Sequence, residues 1–217
     1  YTREEKLSLL IKKELWPGIQ NKMQQQGIDI SRPWIVLHPG VSEQKREYPF
    51  LKWIATGTQL INEMKCQLVF TGIVTEKKLI VSIAAGLPKD VFSLAGLLSL
   101  EEFIVLISKA PLVISVNTVT IHIAAATGTP LIVLYAFTNP QHFPWKAKGK
   151  VLLYEVPRHL KSSNEVIRFV NKKFNYPMPF PSPDLIVNTA KQILYESPAL
   201  NIPELPFCNN VSNKAFV

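Results

Sequence analysis

The chain has 217 residues, of which 47% are hydrophobic and 18% charged, a balance that excludes a disordered protein and suffices for one large domain. The formal net charge of +8 favours an anionic partner, and composition alone leaves open a phosphorylated small molecule, nucleic acid or an acidic membrane surface. The longest apolar runs, such as residues 131–137, are far shorter than the roughly 20 residues of a membrane-spanning helix, so we expect a soluble protein.

The two cysteines and the first residues of the chain indicate where the protein works. Cys66 and Cys208 are far apart and form no CxxC pair, so we expect neither a zinc site nor a disulfide-stapled secreted domain, and a reducing, cytoplasmic compartment fits. The chain starts at Tyr1 rather than at a methionine, and no charged-then-apolar leader follows. We therefore expect no signal peptide and a piece of a longer chain.

Residues 1–30 predict a leading helical segment. Apolar residues between positions 3 and 26 recur close to every 3.6 residues, which indicates one or two amphipathic helices. Pro17 lies inside this run. It must break or kink the run, because proline has no backbone N–H to donate and its ring clashes with the preceding turn.

From Trp34 onward, short apolar runs alternate with amphipathic stretches. The runs at 34–38, 66–71, 112–116 and 131–135 are continuous and rich in β-branched residues, which is typical of strands buried on both faces of a parallel sheet. The stretches at 50–64, 76–85, 100–109 and 118–127 predict helices. This βαβα series predicts an α/β domain over residues 31–197.

Turn and capping residues mark several of these boundaries. Ser99 and Glu102 form a capping box before the helix at 100–109, and Gly128 ends the helix before the last predicted strand. Ser182, followed by a proline, predicts the start of a final helix from Asp184 to about Tyr195. We expect the proline-rich stretch 175–183 to be extended and the tail 198–217 to be irregular.

Polar and small residues follow the predicted strands, where ligands bind in an open parallel sheet. These candidates are Gly40, Ser42, Lys45, Arg46, Thr71, Gly72, Glu76, Asn117, Thr118 and His122. Small residues, hydroxyls and two cations at helix starts favour a phosphate or diphosphate. The sequence has neither GxGxxG nor GxxxxGK[ST], so it lacks the specific marks of dinucleotide oxidoreductases and P-loop enzymes.

The order and spacing of these strand ends resemble the C-terminal, nucleotide-sugar-binding domain of glycosyltransferase family 9, the heptosyltransferase-like enzymes. The resemblance covers residues 34–145. It rests on HPGVS after the first strand, Lys45-Arg46 before a Tyr-Pro pair, Thr71-Gly72 with Glu76, and a Leu-Ala-Gly stretch before the capping box. Residues 113–140, VISVNTVTIHIAAATGTPLIVLYAFTNP, are similar to the family signature S-x-D-[ST]-G-x-x-H-x-A-A-A…P…Y-G-x-T-x-P.

This resemblance implies a Rossmann-like parallel sheet with flanking helices, as in the C-terminal half of a GT-B glycosyltransferase. Such enzymes bind a nucleotide-diphospho-sugar and transfer the sugar with inversion to a glycan acceptor, with no metal or cofactor, in the cytoplasm or at the inner membrane face. Lys45 and Arg46 would stabilise the departing diphosphate. The catalytic base is expected in an N-terminal, acceptor-binding domain of the same protein, so this piece alone should be inactive. The implied donor-binding residues are Gly40, Ser42, Lys45, Arg46, Thr71, Gly72, Glu76, Leu98, Asn117, Thr118, Val119 and His122.

Departures from the family pattern leave a second function open. Asn117 replaces the usual aspartate and Val119 the usual glycine, which is compatible with a degenerate, non-catalytic nucleotide-binding or interaction domain. A basic nucleic-acid-binding domain is a weaker alternative. Because Lys and Arg are scattered along the chain, we expect no nucleic-acid partner.

Structural roles for the candidate residues also stay open. His122 is compatible with a core position, and Lys45 and Arg46 with solvated loop charges. Glu76 is compatible with a role at a helix N-terminus, and Asn117 and Thr118 are compatible with helix caps.

Overall fold

A single parallel sheet forms the centre of the computed structural model, which describes residues 7–137, 143–156, 158–160, 164–165, 169 and 178–196. Its strands are β1 Trp34–His38, β2 Gln67–Phe70, β3 Val91–Ser93, β4 Val113–Val116, β5 Leu131–Ala136 and β6 Gly149–Tyr154. The strand order is β3-β2-β1-β4-β5-β6, and every neighbouring pair is parallel. This is the order of a Rossmann sheet, so the predicted fold class is confirmed.

Helices connect the strands and flank the sheet. They are α1 Trp16–Gln25, α2 Phe50–Met64, α3 Lys77–Ala85, α4 Leu100–Lys109, α5 Val119–Thr127 and α6 Pro183–Lys191. Short 3-10 turns lie at Lys13–Leu15, Gln44–Arg46, Val74–Glu76 and Arg158–Leu160, and a π-helical segment, Gln192–Glu196, follows α6. Across the described part of the chain, no helix is long and apolar enough to cross a membrane.

Pro17 decides where the leading helix begins. The α-helix starts at Trp16 with the proline in its first turn, and residues 7–12 form no helix. The predicted break at Pro17 is confirmed, whereas the helical prediction for 7–12 is wrong, because a proline is tolerated only where the missing N–H would be unbonded anyway. Residues 1–6 and the predicted tail 198–217 lie outside the described residues.

Two apolar layers cover the two faces of the sheet. One contains Ile35, Leu37, Phe70 and Leu134, packed against α2, α3 and α6, and the other contains Val36, Val69, Val113 and Tyr135, packed against α1, α4 and α5. Side chains alternate because successive residues of a strand point to opposite faces. Ile19 and Met23 of α1 are fully buried in the second layer, so α1 belongs to the packed core.

The predicted caps are present. Ser99 Oγ accepts a hydrogen bond from the Glu102 amide at 3.2 Å, and Glu102 Oε2 accepts one from the Ser99 amide at 2.8 Å. At the start of α6, Ser182 Oγ accepts a bond from the Leu185 amide at 3.2 Å. α5 ends on Gly128 in the left-handed conformation, with φ of 71°. These caps fix where α4 and α6 begin and where α5 ends.

β1 ends in a buried histidine. His38 Nδ1 lies 2.9 Å from Thr71 Oγ1, and the imidazole lies 5.7 Å from the Phe103 ring, centroid to centroid. Burial lowers the pKa of His38 to about 4, because an imidazolium in this apolar setting would lose its hydration. The ring is therefore neutral at neutral pH.

We predict opposite effects for alanine at two glycines. Gly149 has φ of 135°, and an added Cβ would lie 1.9 Å from the Leu131 carbonyl oxygen, within the β5–β6 pairing. Gly149→Ala should lower the free energy of unfolding by at least about 2 kcal/mol. Gly18 of α1 has no atom within 4 Å of such a Cβ, so Gly18→Ala should raise it by about 0.5–1 kcal/mol. Urea unfolding of both variants measures this, and equal effects would contradict it.

The buried His38 should make stability depend on pH. The unfolded chain protonates this residue near pH 6.5 and the folded chain near 4, so between these values the unfolded state binds more protons. The free energy of unfolding should fall with decreasing pH by about 1.4 kcal/mol per pH unit from this residue. Urea titrations from pH 7 to 4 should show a shallower slope for His38→Gln. A His38→Gln protein that keeps the wild-type slope would contradict this.

Candidate functional site

A cavity of about 510 Å³ opens at the carboxyl ends of β1, β2 and β4. The loops after these strands and the first turns of α4 and α5 form its walls. Most of the predicted binding residues line it: Ser42, Arg46, Thr71, Gly72, Glu76, Leu98, Asn117, Thr118, Val119 and His122. The sequence therefore places residues from separate loops at one site, as expected for a parallel sheet.

Gly40 and Lys45 have other positions. Gly40 is buried beside the Glu76 side chain, and a Cβ built on it would lie 2.0 Å from the Glu76 carboxyl carbon. Lys45 is outside the cavity lining, and its Nζ forms an ion pair with Glu43 Oε2 at 2.5 Å. Of the two neighbouring cations, Arg46 is thus the one that lines the cavity.

Arg46 is held by both its backbone and its side chain. Its carbonyl oxygen accepts a hydrogen bond from the Tyr154 hydroxyl at 2.7 Å, which ties the 3-10 turn to the end of β6. Its Nη2 lies 2.6 Å from Glu43 Oε1, while its Nε is buried without a hydrogen-bond partner. The guanidinium therefore has a fixed position and an unused donor.

The positive end of α5 faces the same cavity. Thr118 is the N-cap residue, but its side chain makes no capping hydrogen bond to the helix. Asn117 is only 2% exposed, and its Nδ2 has no acceptor in good hydrogen-bonding geometry, although the Asn117 side chain lies close enough to the Tyr135 phenol to affect it. A buried donor without an acceptor is costly in a folded protein, and free N–H groups at a helix start attract anions. This end of the cavity is built for an anionic or oxygen-rich group.

Among the described residues that line the cavity, Glu76 is the one with an acidic side chain. Its Oε2 accepts a hydrogen bond from the Ile73 amide at 2.9 Å, so it caps its own turn, as the structural alternative for this residue predicted. Gly72 also leaves room for it, since a Cβ there would lie 2.7 Å from Glu76 Oε2. The second carboxylate oxygen is the acceptor left for a ligand hydroxyl.

An apolar wall completes the cavity, and sequence reasoning found only Leu98 of it. The lining residues outside the predicted set are His38, Ile73, Leu94, Ser99, Leu100 and Phe103. Their positions at strand ends and in the first turn of α4 are the signal that could have found them. Leu94, Leu98 and Leu100 of this wall come from the stretch that follows β3.

Two further features bear on the chemistry. In the described ranges, no group of three or more His, Cys, Asp and Glu side chains is placed to hold a metal ion. Tyr135 lies near Arg46 at the end of β5. Burial raises the pKa of Tyr135 to about 12, against the opposing effects of the Arg46 charge and of the Asn117 side chain, so the phenol is neutral at neutral pH. Residues 138–140, the end of the signature, lie outside the described residues.

Comparison with known proteins identifies relatives of the fold. The structure resembles a family 9 glycosyl transferase from Veillonella parvula, with a TM-score of 0.71 and 18% identity, over 88% of this chain and 54% of that one. It also resembles ADP-heptose lipopolysaccharide heptosyltransferase II of E. coli, with a TM-score of 0.63 and 19% identity, over 87% of this chain and 53% of that one. At such identities the likeness shows the fold.

The sequence comparisons go further. Over 121 residues the chain is 29% identical to the lipopolysaccharide core heptosyltransferase OpsX of Haemophilus influenzae, which covers 55% of this chain and 35% of that protein. The chain thus spans about a third of this curated relative and about half of the solved structures. The family model described as glycosyltransferase family 9 (heptosyltransferase) matches residues 14–190. The chain therefore belongs to glycosyltransferase family 9.

Proposed function

We propose that this chain is the donor-binding half of an inverting glycosyltransferase of the GT-B type, and that its cavity binds a nucleotide-diphospho-sugar. One observation carries the proposal. The side-chain Nδ2 of Asn117 is buried without a well-placed acceptor, and it lies at the start of α5 in a cavity that Arg46 also lines. A diphosphate supplies the acceptor oxygens that these donors lack.

The diphosphate belongs at the positive end of the cavity. Arg46 Nε and Asn117 Nδ2 would donate to its oxygens, and the first amides of α5 would add the helix dipole. As the sugar leaves, negative charge builds up on the diphosphate, and donors already fixed in place stabilise that charge without reorganisation. Because protein groups supply this charge, we propose that transfer needs no metal.

The nucleoside belongs at the opposite end. A ribose hydroxyl would donate to Glu76, whose side chain lies in the space that Gly40 and Gly72 leave open. The base would pack on the apolar wall formed by Leu94, Leu98 and Phe103. Because these side chains are aliphatic and aromatic, the base would bind to the wall mainly through burial of its apolar surface.

The donated sugar would lie beside Val119 and His122, at the mouth of the cavity. ADP-heptose is the first donor to test, since the family description and OpsX name heptosyl transfer and the E. coli structure names ADP-heptose. The glycan acceptor and the base that deprotonates it would come from an N-terminal domain of the same protein. We place the enzyme in the cytoplasm, at the inner membrane face when the acceptor is membrane-bound.

We predict that Arg46→Ala weakens ADP binding far more than Lys45→Ala does. Removal of Arg46 should weaken ADP binding by about 1.5–3 kcal/mol, the usual loss for a charge-assisted hydrogen bond, or roughly 10- to 150-fold in Kd. Lys45→Ala should change Kd less than about threefold, because Lys45 lies outside the cavity and pairs with Glu43. Titration calorimetry measures both, and equal losses in the two variants would contradict the site as described.

Binding and transfer should also separate. The chain described here should bind ADP and ADP-heptose equally well with and without EDTA, and should transfer no sugar, because the acceptor base is missing. Calorimetry and a heptose-transfer assay with lipopolysaccharide core acceptors test this. Turnover by the chain alone would refute the two-domain proposal. A full-length protein that binds donor and never transfers would favour the degenerate, non-catalytic alternative.

A further inference from the structure

Lys22 of α1 reaches a loop that forms part of the cavity wall, although Lys22 itself is outside the cavity lining. Its Nζ donates to the Leu97 carbonyl oxygen at 3.0 Å and lies 2.7 Å and 2.9 Å from the two carboxylate oxygens of Glu102. One ammonium group thus joins a core helix, the first turn of α4 and the loop between β3 and α4. We call residues 94–100 the wall loop.

The start of the wall loop is anchored in the core, because Leu94 and Ala95 are buried and the Leu94 amide donates to the Phe70 carbonyl at 2.8 Å. The following residues, 96–100, are exposed or half-buried and depend on few bonds. The Gly96 amide donates to the Gly72 carbonyl at 2.8 Å, and the Leu97 amide donates to the Leu94 carbonyl at 3.1 Å. The Ser99 amide donates to Glu102 Oε2 at 2.8 Å, the same carboxylate that Lys22 binds. Lys22 therefore acts on the loop twice, directly at Leu97 and through the capping box at Ser99.

Loss of the Lys22 contacts should affect the wall loop more than the stability of the whole domain. The side chains of Lys22 and Glu102 are 37% and 18% exposed, and ion pairs so close to solvent add little to the overall stability of a protein. The hydrogen bond from Lys22 lowers the pKa of Glu102, which keeps the carboxylate charged around neutral pH. The exposed part of the loop, residues 96–100, opens locally at low cost when one of its few bonds is lost. Loss of Lys22 should therefore loosen the wall loop more than it unfolds the domain.

We propose that Lys22 is a positioning residue for the nucleotide site. It holds the exposed part of the wall loop, from which Leu98 and Leu100 line the cavity, and so sets part of the surface on which the base packs. This inference rests on the proposed function, in which the apolar wall takes the base. The diphosphate end of the cavity, formed by Arg46 and the start of α5, lies on other loops and should be indifferent to Lys22.

The test compares two ligands with one variant in the full-length protein. Lys22→Met should weaken ADP binding by roughly three- to tenfold, the range for one lost hydrogen bond, and leave the affinity for inorganic pyrophosphate, which has no base, within about twofold. Lys22→Arg should restore ADP affinity, because an arginine can still donate to both acceptors. Hydrogen exchange at the Leu97 and Ser99 amides of the ligand-free protein should be faster in Lys22→Met, at an unchanged melting temperature.

Lys12→Met is the matched control. Lys12 Nζ lies 2.5 Å from Glu101 Oε1, so Lys12 also joins the N-terminal segment to α4 but makes no bond to the wall loop. Lys12→Met should therefore leave the affinities for ADP and pyrophosphate unchanged. Unchanged ADP affinity in Lys22→Met, with both ligands weakened in Arg46→Ala, would overturn the positioning role and leave the proposed function standing. Equal losses for ADP and pyrophosphate in Lys22→Met would also overturn it. A wild-type protein that binds neither ligand would overturn the proposed function.

Discussion

The site depends on one constraint: the six strands that the structure describes all run in the same direction. Parallel strands bring their carboxyl ends, and the helix starts that follow them, to one edge of the sheet. The crossover helices cover both faces, so the strands are mainly apolar. The polar residues of the cavity therefore mostly follow the strands, whereas the apolar wall of the cavity is continuous with the core. A substitution at Asn117 or Val119 can alter what the cavity binds without changing the layers that hold the sheet together.

The inner strands were predictable because each is a continuous apolar run, whereas the two edge strands were not. β3 has only three residues, all half-buried, and so lacks a run long enough to stand out. β6 follows a stretch with lysines at every second position, and Lys150 within it is exposed, a mixture that resembles a loop in sequence. Edge strands bury less surface, so their sequences carry less of the signal that identifies a strand.

The polar half of the site was predictable and the apolar half was not. Residues such as Thr71 and Asn117 stand out because they interrupt apolar runs at strand ends. Phe103 does not, since an aromatic residue that lines a cavity and one that fills a core look the same in sequence. Lys45 and Arg46 are adjacent cations, and only the backbone turn determines which of them faces the cavity. The family resemblance added Leu98, which composition and periodicity alone would not have identified.

The contact between Gly40 and Glu76 has a consequence for how this protein can change over evolution. The glutamate carboxyl fills the space where any larger residue at position 40 would place its Cβ, although the two residues follow different strands. A side chain at position 40 becomes acceptable once position 76 is shortened, and that shortening removes the acceptor from the cavity. The two positions therefore form one unit of mutational constraint. Covariation between them would mark lineages that have changed the ligand they hold.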